Sequence, residues 1–117
     1  MRPLYHPSMA EVSVEGILYA FSDPVRMQIF MQLAGASCSQ NCSTFLNIKD
    51  SPLPKSTLSQ HFKVLREAGL IYSERKGVEL HNRTRCEELK ERFGGMIDAI
   101  VEAYASQYSK KRSIKKR

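Results

Sequence analysis

The sequence predicts a mainly α domain with one small β-hairpin, an α+β fold, and three observations carry that expectation. Apolar residues recur at helical spacing in separate runs along the 117 residues, several of them preceded by a helix-start signal. Residues 54–68 form a run with two chemically different faces that stops abruptly at Gly69. Beyond it, two strand-like stretches flank Lys76-Gly77, a pair suited to a tight turn. A chain of this length builds one modest core, so a single domain is expected over residues 1–109, with a basic tail, 110–117, expected to be disordered.

Taken in order, Ser8 and Glu11 spell a capping box, and Met9, Val12, Gly16, Ile17, Tyr19 and Ala20 predict a first helix up to Phe21. Asp23 before Pro24 is an N-cap with a first-position proline, and Val25, Ile29, Phe30 and Leu33 give a second helix ending at Gly35. Between residues 36 and 53 the pattern weakens; Cys42, Phe45, Leu46 and Ile48 predict a short helix, followed by a Pro-rich connector. After Gly69, residues 70–75 and 78–83 read as the strands of a hairpin tipped with Arg75 and Lys76. Thr84 with Glu87 forms a second capping box for a helix through Leu89 and Phe93, interrupted at Gly94-Gly95. Met96, Ile97, Ile100, Val101 and Tyr104 then resume an apolar face.

The run at 54–68 carries the chemistry. Leu58, Phe62 and Leu65 form its apolar stripe, with Val64 and Leu70 beside it. Its other face presents Lys55, Ser56, Thr57, Ser59, Gln60 and Lys63, a set of hydroxyls, one amide and two cations suited to base edges and phosphate oxygens. Gln60 is the candidate for a bidentate contact with adenine, and Lys55 and Lys63 for phosphate anchors. His61 has two readings, a donor to phosphate or a ring packed at the edge of the core. Arg75 and Lys76 at the hairpin tip read as groove or backbone contacts, or as solvated surface.

The net charge of +6 becomes informative once divided along the chain. Residues 49–85 carry eight basic and four acidic groups, whereas residues 1–48 and 86–109 are each slightly acidic. The tail adds Lys110, Lys111, Arg112, Lys115, Lys116 and Arg117, either nonspecific phosphate contacts or solvated surface. No apolar run approaches the roughly 20 residues needed to span a bilayer, and the first residues lack a signal peptide's apolar region. A cytoplasmic protein with no membrane partner is therefore expected, and three cysteines fit that compartment better than a disulfide scaffold.

The phrases AFSDPVRMQIFMQLA and PKSTLSQHFKVLREAGLI, followed by a charged hairpin, closely resemble the ArsR/SmtB family of bacterial transcriptional repressors. The likeness covers residues 14–82. It implies a winged helix-turn-helix and a homodimer whose first and last helices form the interface. It also implies two reading helices in successive major grooves, with wings on the flanking backbone or minor groove. Such a dimer would bind an inverted repeat with half-sites about 10 base pairs, or a multiple, apart. Independently, the apolar face of the last helix is more than one small domain readily covers, which points to burial by a partner copy.

The sensing chemistry is less well matched. The resemblance implies a Cys-x-Cys metal motif on the first helix of the helix-turn-helix, but Cys38 and Cys42 here are separated by three residues. A second familiar site, with Asp-x-His on the last helix, is unsupported because Asp98 is followed two residues on by Ile100. Cys38 and Cys42 would share one face of a helix and could bind a thiophilic metal with a third ligand from elsewhere. Cys86, near Arg83 and Arg85, sits where a thiol is prone to oxidation chemistry. Three alternatives stay open: no sensing and no cofactor, redox or persulfide-type sensing, and a thiophilic metal.

These readings converge on a sequence-specific regulator of double-stranded DNA, a dimeric repressor of an inverted-repeat operator. The rival is a winged-helix module for protein assembly without specific DNA readout, against which the polar start of the reading helix argues. An enzyme is not expected, because no nucleophile, base and orienting group occur in a recognisable arrangement and no phosphate-cradling glycine loop is present.

Overall fold

A computed structural model describes residues 4–34, 40–41 and 53–116. The short helix expected around Cys42 to Ile48, its connector, and Cys38 and Cys42 lie outside the described residues. The chain divides into two compact units, Met1–Arg85 and Cys86–Arg117.

In the first unit a single 3-10 turn, Met9–Glu11, precedes α1 (Val14–Phe21) and α2 (Pro24–Ala34). The first helix therefore starts later than the Ser8/Glu11 pair predicts. Glu11 does reach back to accept from the Ser8 backbone N–H at 2.9 Å, but it closes only the 3-10 turn. The N-cap of α1 is Ser13, whose hydroxyl accepts from the Gly16 N–H at 3.0 Å. At α2 the expected cap is present, with Asp23 Oδ1 accepting from the Val25 N–H at 2.7 Å and Pro24 in the first helical position.

α3 (Lys55–Glu67) follows Pro54 and buries Leu58, Phe62 and Leu65 against α1, α2 and β2 (Ile71–Lys76). Each fully buried side chain of this size contributes roughly 1.5–3 kcal/mol. Ile17, Met27, Phe30, Leu33, Leu70 and Ile71 are buried with them, and the rings of Phe21 and Phe30 meet edge to face at 5.1 Å. The end of α3 is a Schellman motif: the Gly69 N–H donates to the Arg66 carbonyl and the Leu70 N–H to the Leu65 carbonyl, both at 3.1 Å. Gly69 takes the left-handed conformation that this requires, φ 86°, and a side-chain carbon there would overlap Val12. The chain thus turns from α3 into β2 within three residues.

β2 pairs antiparallel with β3 (Glu79–Thr84) in a register that sets Lys76 opposite Glu79. The two loop residues are accordingly Gly77 and Val78, one position later than Lys76-Gly77. Gly77 has φ 64° while Val78 does not have positive φ, the arrangement in which glycine is required at the first turn position. A strand not foreseen, β1 (Gln40–Asn41), pairs with the other side of β3 and gives the order β1-β3-β2. Thr84 is not a helix cap. It closes β3 opposite Ile71, and the next residue, Arg85, donates its N–H to the Leu70 carbonyl at 2.9 Å.

The second unit holds α4 (Cys86–Phe93) and α5 (Met96–Lys116). The break falls where the glycine pair predicts it: Gly94 has φ 65° and its N–H still donates to the Lys90 carbonyl. Leu89 and Ile97 are buried, while Met96, Ile100, Val101 and Tyr104 are half-buried. α5 runs on to Lys116, across the 109–110 boundary at which the sequence divides domain from tail. Among the described residues no helix is long and apolar enough to cross a membrane.

Candidate nucleic-acid interface

α3 separates its two chemistries cleanly. Leu58, Phe62 and Leu65, spaced i, i+4, i+7, are buried; Ser56, Ser59, Gln60 and Lys63, spaced i, i+3, i+4, i+7, are exposed on the opposite face. Lys55 and Thr57, in the first turn, are exposed beside that stripe. Pro54 offers no side chain to cap the helix, so the positive end of its dipole adds to the Lys55 charge for any anion approaching there. All six polar residues assigned to the reading face are thus presented together on one rigid element.

His61 lies off the stripe and is half-buried. Its Nδ1 stands 3.5 Å from Nη1 of Arg26, on α2. Arg26 is itself only 9% exposed; its Nε donates to the Ala20 carbonyl at 2.7 Å and Nη2 to the Tyr19 carbonyl at 3.2 Å. The Asp23 carboxylate is 3.9 Å from the guanidinium, which also lies over the Tyr19 ring at 5.3 Å. Nothing in local spacing links residues 26 and 61, so this contact was not legible in the sequence.

At the hairpin tip the register sets Arg75 and Lys76 on opposite faces. Arg75 shares its face with Ile71 and Ser73, and Ser73 Oγ accepts from Arg66 of α3 at 3.2 Å, so Arg75 is on the α3 side. Lys76 is on the other face with Tyr72 and Glu74, its ammonium 3.9 Å from the Glu74 carboxylate. Both tip cations are exposed. Val78 beside them is 99% exposed.

The root of the hairpin carries a cationic cluster that sequence reasoning missed. Arg83 and Arg85 both lie over the Tyr72 ring, at 4.7 and 4.4 Å, and Arg85 donates to the Pro7 carbonyl at 2.8 Å. The His6 ring meets Tyr72 edge-on at 5.2 Å. Burial, then the neighbouring charges of Arg66, Arg85 and Arg83, hold the His6 pKa below its ordinary value. Alternating arginines at 83 and 85 were the visible signal; the histidine 67 residues before Ser73 gave none.

Of the cysteines, Cys86 is described: it is a half-buried free thiol at the head of α4, lining an open cleft of ≈ 200 Å³ with Glu87, Lys90, Gly94, Ile97 and Asp98. Among the described residues no three His, Cys, Asp or Glu side chains are grouped as a metal would need.

A polar-faced helix turning directly into a two-stranded wing, on a base of packed helices, is the arrangement of a winged helix-turn-helix. Residues 21–73 match a family model described as a helix-turn-helix domain. Among solved structures, the chain is similar to an ArsR-like transcriptional regulator from Rhodococcus sp. RHA1 (TM-score 0.55, 21% identity, covering 86% of this chain and 90% of that one). It is similar also to a possible transcriptional regulatory protein from Mycobacterium bovis, determined as a fragment of residues 1–100 (TM-score 0.59, 19% identity, 76% and 90% covered). NolR from Sinorhizobium fredii gives a TM-score of 0.52 at 26% identity, with 80% and 98% covered. Comparison with curated protein sequences gives no significant match. The chain shares the winged helix-turn-helix fold of these structures, and residues 21–73 carry a helix-turn-helix domain.

Proposed function

We propose that the protein is a sequence-specific transcriptional regulator, a homodimeric repressor that grips an inverted-repeat operator with its two copies of α3. The observation that carries this reading is the exposed stripe of Ser56, Ser59, Gln60 and Lys63 opposite the buried Leu58, Phe62 and Leu65. A helix so divided presents base-reading and phosphate-binding groups in one plane while its other side fixes it to the core. The charge of residues 49–85, eight basic groups against four acidic, supports the same surface.

Dimerisation is supported by apolar surface left open on α1, where Val14 is 39%, Leu18 51% and Tyr19 64% exposed, and by the half-buried apolar face of α5. The repressor acts in the cytoplasm, where its cysteines stay reduced until a signal reaches them. Response to thiol oxidation or a thiophilic metal remains part of the reading, with Cys38, Cys42 and Cys86 as the groups concerned.

The test is selection of duplexes from a random pool with reduced protein, followed by binding to the winner after peroxide, polysulfide and thiophilic-metal treatment. An inverted repeat bound in only some of these conditions supports a signal-responsive dimeric repressor. An inverted repeat bound equally in all of them removes cysteine sensing. If no sequence emerges, the protein-assembly reading takes its place, favoured by the fully exposed Val78 at the wing tip.

A further inference from the structure

Arg26 binds the end of α1 and touches α3 in one stroke. The carbonyls of Tyr19 and Ala20 belong to the last turn of α1, and both receive the Arg26 guanidinium, the Tyr19 carbonyl alongside the N–H and hydroxyl of Ser22. The remaining fork of the same group, Nη1, lies 3.5 Å from His61 Nδ1. A guanidinium can only donate, so in this contact Nδ1 of the imidazole is the accepting side. We propose that Arg26 is a positioning residue for DNA readout: through His61 it fixes the rotation of α3 against α1 and so aims Gln60 and its neighbours at the bases. The inference rests on the DNA-binding reading above.

The physical need for such a group follows from how α3 is otherwise held. Leu58, Phe62 and Leu65 anchor the helix by burial, which is non-directional and tolerates a small roll about the helix axis. A hydrogen bond from a buried, planar guanidinium does not tolerate it. Base readout needs a side chain held within about 0.5 Å and 10–20° of its productive pose. His61 is the neighbour of Gln60 and lies two residues before Lys63, so a constraint on its ring is a constraint on the reading stripe. Arg26 is in turn oriented by the Ala20 and Tyr19 carbonyls, with the Asp23 carboxylate and the Tyr19 ring beside it.

The test is a double-mutant cycle on the full chain with Arg26→Lys, His61→Leu and the double variant, titrated against the selected duplex and a scrambled one, with His61→Gln as the conservative control. Each single variant is expected to weaken binding to the selected duplex by about tenfold with little change on the scrambled one, the pattern of lost specific readout. The double variant is expected to be no weaker than the poorer single, because both remove one interaction. His61→Gln, which keeps an acceptor, is expected to recover most of the loss. Three results overturn the proposal: losses that add in the double variant, an unaltered affinity in His61→Leu, or a salt slope reduced by about one in His61→Leu, which would make His61 a direct phosphate contact. Should Arg26→Lys fail to fold, the His61→Leu and His61→Gln pair still decides through the salt slope and the recovery. A wild-type chain without preference for any duplex would instead remove the DNA-binding reading itself.

Discussion

The backbone N–H of Ser73 donates to Nε2 of His6 at 3.0 Å, across 67 residues of sequence. The bond requires a neutral imidazole, because a protonated ring has no lone pair to offer. Protonation would also set a cation beside Arg66, Arg83 and Arg85, which already push the His6 pKa down together with burial. The folded-state pKa therefore lies below the unfolded one, so the linked stabilisation is present above the unfolded pKa and is lost as pH falls through the folded value. Thermal midpoints measured from about pH 8 down to about pH 5 should fall less in His6→Gln than in the wild type, since glutamine accepts without titrating. Superimposable curves would show that His6 does not contribute.

Gly69 and Gly77 both have positive φ, but they predict different losses. At Gly77 an added side-chain carbon meets nothing within 4 Å, so Gly77→Ala carries the conformational cost alone, about 1 kcal/mol. At Gly69 the same change also drives into Val12, which is buried, and the cost should reach about 2–4 kcal/mol. Chemical denaturation of the two variants measures the difference. Adding Val12→Ala to Gly69→Ala should recover part of the loss if the overlap is its cause.

Gln60 stands on the exposed stripe with Ser56, Ser59 and Lys63 on either side. Gln60→Ala should weaken binding to the selected operator by about 1–3 kcal/mol and leave a scrambled duplex nearly unaffected. Paired titrations at one salt concentration give both numbers. An equal loss on both duplexes would make Gln60 a backbone contact.

The opposite faces of Arg75 and Lys76 imply unequal roles. Arg75 is on the α3 side of the wing, whereas Lys76 is turned away and close to Glu74. Arg75→Ala should therefore lower both affinity and salt slope, the slope by about one for a lost phosphate contact. Lys76→Ala should change either less. Identical effects would mean that the wing tip bends on binding.

Much of this architecture is written locally in the sequence. The Asp23-Pro24 start of α2, the two faces of α3 and the left-handed Gly69 each depend on residues within one or two turns, and each is found where the pattern places it. Ser8 misled because its capping partner Glu11 is real but closes only a 3-10 turn, while Ser13, without a glutamate three residues on, caps the helix. Thr84 misled because strand pairing with Ile71 outweighs a local cap. The turn at Gly77-Val78 was displaced by one residue because valine is a poor turn former and only the β2–β3 register puts it there. Of the candidate interface, the polar stripe was legible in full. The supports behind it, Arg26 to His61 and His6 to Ser73, join residues far apart in sequence and leave no periodic trace.

The sheet order β1-β3-β2 leaves β2 on the outside, with the Ser73 amide pointing away from β3. Open strand edges are templates on which a second molecule can zip up, and proteins that must stay dispersed at high local concentration protect them. Here the segment ahead of α1 lies at that edge: the His6 imidazole occupies the outward amide of Ser73, and Pro7, which has no amide hydrogen of its own, is tied down by Arg85. At Ser73 that edge is thereby closed to pairing with a second chain.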